Sequence, residues 1–241
     1  MFVLIFVQQG FGQSKMEDNY IEWAESIFSS NRMKALLEKI DASDVSVLSS
    51  PHARTVFLSL LRALWYEYDG LIYDYKRNEH TSLSLLAWRT RNVLELNLWC
   101  RFCCEDKANA EIFFKEGSKD ALNLVESLEA WGTKTDQPQD WFEDRKRSKE
   151  KVIEEASMHG HDDLDGKYIR ISKAAEACGY GACFNLHYKF LSKFAHPTAF
   201  RLFIKDDKKE IARQAHSFLK QGALYFHDGF VKLERYIEES E

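Results

Sequence analysis

Proline stands at only three places in this chain, Pro51, Pro138 and Pro197, and glycine at eleven. These are the residues that interrupt helices and build tight turns. Spread over 241 residues, so few of them leave room for long helices and supply too few turns for a β-sandwich. The apolar residues point the same way. Val56, Leu60, Leu64 and Tyr68 recur at four-residue steps, and Ile211, Ala215, Phe218, Phe226, Phe230, Leu233 and Ile237 form a broad stripe. That is the period of amphipathic helices with one buried face. The expected fold is all-α, a single multi-helix bundle of long antiparallel helices.

Helices are expected over 17–29, 31–40, 52–77, 82–105, 107–131, 141–158, 167–177, 183–196 and 208–239. The Ser- and Asp-rich stretch 41–51 reads as a loop able to cap the third helix, and 78–82 as a turn. Gly132 to Asp140 reads as the main interior loop and the only candidate boundary. Long amphipathic helices on both sides of it need partners, so residues 16–241 are taken as one helical-bundle domain. Residues 1–15 are set apart as an N-terminal extension, because Met16 directly precedes the first amphipathic pattern. Met1–Val7 resembles the apolar part of a signal peptide but lacks a basic start and a small-residue cleavage site. Seven apolar residues are also too few to span a bilayer.

A chain that is 45% hydrophobic and 29% charged is neither disordered nor membrane-embedded. Its net charge of -5 argues against a protein held to nucleic acid by bulk charge, while leaving room for a local basic patch. The five cysteines, Cys100, Cys103, Cys104, Cys178 and Cys183, are odd in number and sit in apolar helical contexts, which suits a reducing compartment. A cytoplasmic protein without membrane association is expected.

Two segments stand out for chemistry. On the helix over 82–105, Trp88, Asn92, Glu95 and Trp99 share one face, so a carboxylate lies among large aromatics and requires a cation. Arg91 stands one turn before Glu95 and reaches it, whereas Arg89 faces away, free to serve another helix. The second segment runs from His187 to Thr198. There Tyr188, Ser192 and His196 recur at helical spacing, and Pro197 forces His196 out of the helix at its C-terminal end. Lys189 and Lys193 add positive charge. Elsewhere, the charged run Asp144–Lys151 reads as a solvated helix laced with ion pairs. His159-Gly160-His161-Asp162-Asp163 contains metal-ligand residue types, but nothing nearby repeats in metal-site spacing, so it reads as a polar loop. No phosphate-binding glycine loop, nucleophile elbow, dinucleotide fingerprint or paired-histidine zinc helix is present. No cofactor and no metal is expected.

Trp88-Arg89-Thr90-Arg91-Asn92-Val93-Leu94-Glu95, followed about 90 residues later by Tyr188-x-x-Leu191-Ser192-x-x-x-His196-Pro197, resembles a group of uncharacterised prokaryotic all-helical proteins, the domain-of-unknown-function family number 5677. The likeness spans roughly residues 50–235 and implies a helical bundle with no assigned activity. A more distant resemblance is to the HEPN superfamily of helical ribonucleases and nucleotide-binding modules of toxin and anti-phage systems. Such enzymes place an arginine before a histidine near a helix end, with four to six residues between the two. His196 matches that histidine. Lys189, Phe190 and Leu191 occupy the arginine positions, and lysine lacks the bidentate fork. A homo-oligomeric module is expected that binds a protein, a nucleotide or nucleic acid such as RNA in the inter-helix cleft near Glu95, Tyr188 and His196, and the resemblance implies a stress or phage-defence setting for it. The alternative it implies is a metal-independent ribonuclease with His196 as general acid/base. The expected catalytic set is His196, Lys189, Arg91 and Glu95, and the expected ligand-binding set is Arg89, Asn92, Tyr188 and Ser192.

Overall fold

The computed structural model describes residues 20–27, 30–42, 50–77, 82–164, 168–196 and 207–240. Within them the helices are α1 (Tyr20–Ile27), α2 (Ser30–Ala42), α3 (Pro51–Lys76), α4 (Leu83–Glu105), α5 (Lys107–Lys134), α6 (Gln139–Met158), α7 (Ile171–Ala177), α8 (Gly181–Ala195) and α9 (Lys208–Glu238). No strand occurs among the described residues. The fold is all-α, as the scarcity of helix breakers requires. The expected extension 1–15, most of the 41–51 loop and of the 78–82 turn, and Pro197 fall outside the described residues.

Local chemistry sets the helix starts. The Ser50 hydroxyl accepts the Ala53 N–H ahead of Pro51 at the first turn of α3, the favoured place for proline in a helix. The Asp106 carboxylate caps α5 by accepting the Ala108 N–H at 2.8 Å, and Asp207 caps α9 by accepting the Lys209 N–H at 3.0 Å. A side-chain oxygen at such a position satisfies a donor that the helix itself leaves unpaired.

Two expected boundaries are corrected. Helix α5 continues through Gly132 to Lys134 instead of ending at Trp131. Gly132 is a contact point here and not a breaker: a Cβ on it would lie 2.4 Å from Cζ3 of the Trp141 ring. The absent side chain lets α6 press against α5. Helix α7 begins at Ile171, not at residue 167. The residues just before it are held to α5, because Tyr168 donates to the Lys119 carbonyl and the Ile169 N–H donates to the buried carboxylate of Glu116. The Ile169 bond takes that N–H out of helical pairing.

Helix α4 is the axis of the molecule. It packs against α3, α5, α7, α8 and α9, and Leu83, Leu86, Ala87, Val93, Leu94, Leu98, Cys100 and Cys103 on different sides of it are buried. A helix enclosed in this way keeps apolar residues all round. The sulfurs of Cys100, Cys103 and Cys104 are free and buried, and burial pushes their thiols far above the ordinary range. They act as small apolar side chains. Helix α6 is the opposite case. Only Ala156 of it is buried. Its surface carries the ion pairs Lys149–Glu126 (2.8 Å), Lys151–Glu155 (3.8 Å), Lys146–Glu150 (4.0 Å) and Arg147–Asp144, as a solvated charged helix should. No described helix is long and apolar enough to cross a membrane.

Candidate functional site

Three arginines leave α4 in three directions, and each meets a different set of partners. Arg89 turns to α3, where Nη1 donates to Glu67 at 3.0 Å and Nε to Asp74 at 3.2 Å. This is the other helix that its facing demanded. Arg101 turns to α9 and forms a forked pair with Asp228, through Nε at 2.8 Å and Nη2 at 2.5 Å. The same carboxylate accepts from the Asn97 amide at 3.2 Å and the Tyr180 hydroxyl at 3.3 Å. Burial opposes ionisation of Asp228, but these donors outweigh it and hold its carboxyl below the ordinary range.

Arg91 turns to α8. Its Nε donates to Glu95 Oε1 at 2.9 Å, an i,i+4 pair along one helix face. Its two terminal nitrogens leave α4 altogether. Nη1 lies 2.9 Å from Nε2 of His196, and Nη2 donates to the Tyr188 hydroxyl. The guanidinium carbon also sits 4.4 Å from the centre of the Tyr188 ring, so the tyrosine contributes both a π face and an oxygen. His196 is exposed, and Arg91, Glu95 and Tyr188 are half-buried. The cluster is therefore open to solvent on the histidine side.

Helix α8 explains how His196 arrives there. The helix ends at Ala195, and His196 has the extended backbone φ -110, ψ 153. That is the conformation forced on a residue that precedes proline. Its N–H still bonds the Ser192 carbonyl at 3.3 Å, while its side chain leaves the helix and meets Arg91. Tyr188, two turns earlier on α8, meets the same guanidinium.

Of the residues expected from sequence, Arg91, Glu95, Tyr188 and His196 come together. The others do not join them. Ser192 is half-buried, and its hydroxyl oxygen is buried with no hydrogen-bond partner, so it makes no bond to the guanidinium. Lys189 is exposed and shares no bond with His196, so the cation beside the histidine comes from α4 and not from α8. Asn92 is half-buried and makes no hydrogen bond to the cluster, and Arg89 belongs to the α3 contact. The Asn97–Arg101–Asp228–Tyr180 network was not foreseen. Its one trace in the sequence is the four-residue step from Asn97 to Arg101 on a helix already known to be buried.

An all-helical bundle with an arginine–histidine pair at the open edge of its central helix defines the class of protein. The chain belongs to the family of unknown function DUF5677, which matches residues 85–211. That span runs from the first turns of α4 to the start of α9 and contains Arg91, Glu95, Tyr188 and His196. No curated protein and no solved structure matches the chain.

Proposed function

We propose that this chain is a helical binding module that takes a phosphate-bearing ligand, a nucleotide or RNA, at the edge between α4 and α8, with Arg91 as the anion anchor. One observation carries the reading: both terminal nitrogens of Arg91 meet partners that bear no negative charge, the Tyr188 hydroxyl and the His196 ring, and only Nε meets a carboxylate. A guanidinium fork is shaped to take two oxygens of one phosphate or carboxylate. At Arg91 those positions hold groups that an incoming anion displaces without breaking an ion pair. Glu95 then fixes the orientation of the guanidinium from behind. Titration of the full chain with ATP by calorimetry and with a fluorescein-labelled single-stranded RNA by anisotropy tests the reading. Saturable binding that Arg91→Ala weakens tenfold or more supports it. Failure of the wild-type chain to bind both probes overturns it.

A second reading rests on the 2.9 Å approach of Arg91 to His196 at a solvent-open position. In a metal-independent ribonuclease His196 would take the proton of the attacking 2′-hydroxyl, and Arg91 would stabilise charge developing on the phosphate oxygens while Tyr188 orients them. RNA cleavage in EDTA that His196→Ala abolishes, with growth inhibition on expression of the wild type alone, selects this reading. Equal growth of both strains and intact RNA select the binding module.

A further inference from the structure

A second cluster lies on the other side of the molecule's sequence, where α3, α5 and the end of α6 meet. His52 stands in the first turn of α3, Glu111 in the second turn of α5, and His161 just beyond α6. One donor atom from each of these three lies within 4.8 Å of the other two. His52 Nδ1 is 2.8 Å from Glu111 Oε2, and His52 Nε2 is 2.9 Å from His159 Nδ1. We propose that His52, Glu111 and His161 form a binding site for a divalent transition metal, zinc in particular.

The donor set is the first argument. Two imidazoles and one carboxylate bind zinc and its first-row neighbours and leave a fourth position for water or a ligand. Donors around tetrahedral zinc stand about 3.3 Å apart, so the widest separation here closes by at most about 1.5 Å, within the reach of side-chain rotation.

The surroundings are the second argument, because each donor is held by a neighbour. The Ser50 hydroxyl donates to the other oxygen of Glu111 while capping α3, which orients the carboxylate. Phe114 stacks on the His52 ring with centroids 4.4 Å apart and planes 12° from parallel. His159 fixes the second nitrogen of His52, the partner that a metal-bound histidine requires. His161 Nδ1 is buried and makes no hydrogen bond. A buried imidazole nitrogen without a partner is costly, and a metal ion at this point supplies the partner.

The local backbone is the third. Gly160 has φ +73, a left-handed conformation that glycine adopts without strain. It turns the chain at the end of α6, and the His161 N–H comes back to bond the Ala156 carbonyl at 2.9 Å. The turn brings His159 and His161 to one side, with ring centroids 4.8 and 5.5 Å from that of His52. A cavity of about 340 Å³ lies between the same three helices, with Phe114, Thr55 and Glu155 in its wall. Phe114 belongs to both the cavity and the histidine cluster.

The test uses the full chain, free of any histidine tag and stripped with EDTA, titrated with Zn²⁺ and separately with Co²⁺. The expected result is one ion per chain retained after dialysis, visible absorption bands on Co²⁺ addition, and a higher melting temperature with Zn²⁺. His161→Ala and Glu111→Gln each weaken Zn²⁺ binding by tenfold or more, and Ser50→Ala weakens it severalfold. His227→Ala, outside the cluster, leaves binding unchanged. Circular dichroism of the metal-free variants confirms that they keep their helices. Equal Zn²⁺ affinity in wild type and in folded Glu111→Gln, or no retained ion in the wild type, overturns the proposal.

Discussion

Arg91 and Arg101 stand on the same helix at almost the same depth, with side-chain exposures of 19% and 20%. Their carboxylate partners are also alike, Glu95 at 29% and Asp228 at 32%. Burial therefore does not separate them; the use of the guanidinium fork does. At Arg101 the fork closes on Asp228, and Asn97 and Tyr180 bond the same carboxylate. The Arg101 fork is spent on that one carboxylate, so the network acts as a lock between α4 and α9. At Arg91 the carboxylate takes only Nε, and the fork is turned toward a tyrosine hydroxyl and a surface histidine. A lock spends its guanidinium on a carboxylate within the protein. A site keeps its strongest donors against replaceable partners.

The largest effect is expected at the lock. Asp228→Asn leaves the Arg101 charge half-buried with its ion pair gone, and the expected cost is about 2–3 kcal/mol, read as a lower midpoint in urea unfolding. Affinity of the folded fraction for ATP or RNA should stay at the wild-type value. If Asp228→Asn instead loses ligand and keeps stability, lock and site have been assigned the wrong way round.

Arg91→Ala reverses the pattern. It removes one exposed-edge ion pair and one cation–π contact, about 1 kcal/mol of stability together. Its expected loss is ten- to a hundredfold in affinity, about 1.4–2.7 kcal/mol. His196→Ala is expected to have a smaller effect, with affinity held at or slightly above the wild-type value and an unchanged unfolding midpoint, because the histidine is one of the groups the anion displaces and lies at the surface.

The smallest effect is with acid. The Asp228 carboxyl titrates lower in the folded chain than in the unfolded one. Its stabilising contribution is therefore fully present above the ordinary aspartate range and is lost as pH falls through the lowered folded value. Unfolding midpoints should drop as pH falls from about 5 through and below the ordinary aspartate range, with a shallower drop in Asp228→Asn. Arg91→Ala should follow the wild-type slope.

Much of the fold was legible because helix ends are written locally. Glu105, Lys107, Met158, Ala177 and Lys208 fall at boundaries that caps and apolar period place correctly. Gly132 misled because the same residue type serves as a breaker and as a point of close contact, and only the position of the Trp141 ring tells them apart. The site divides in the same way. The Arg91–Glu95 pair is readable from a four-residue step on one helix. The meeting of Arg91 with His196 spans 105 positions and depends on how α8 lies on α4, which no periodicity reveals. Helical spacing put Ser192 in line with Tyr188 and His196, but its oxygen faces inward. The clustering of His52 and Glu111 with His161 was equally hidden, since residues from two helices and the turn after a third carry no common spacing.

The difference between a lock and a site comes down to the fork, and Arg91→Lys isolates it. Lysine keeps the positive charge and loses the two parallel donors. The deciding measurement is the affinity of wild type and Arg91→Lys for the labelled RNA and for ATP at equal salt, with circular dichroism matched between the two proteins. A loss of about tenfold, or about 1.4 kcal/mol, in a fully folded Arg91→Lys chain is the predicted result. Equal affinity in the two proteins would mean that bulk charge and not the guanidinium holds the ligand, and would contradict the assignment of Arg91 as the anion anchor.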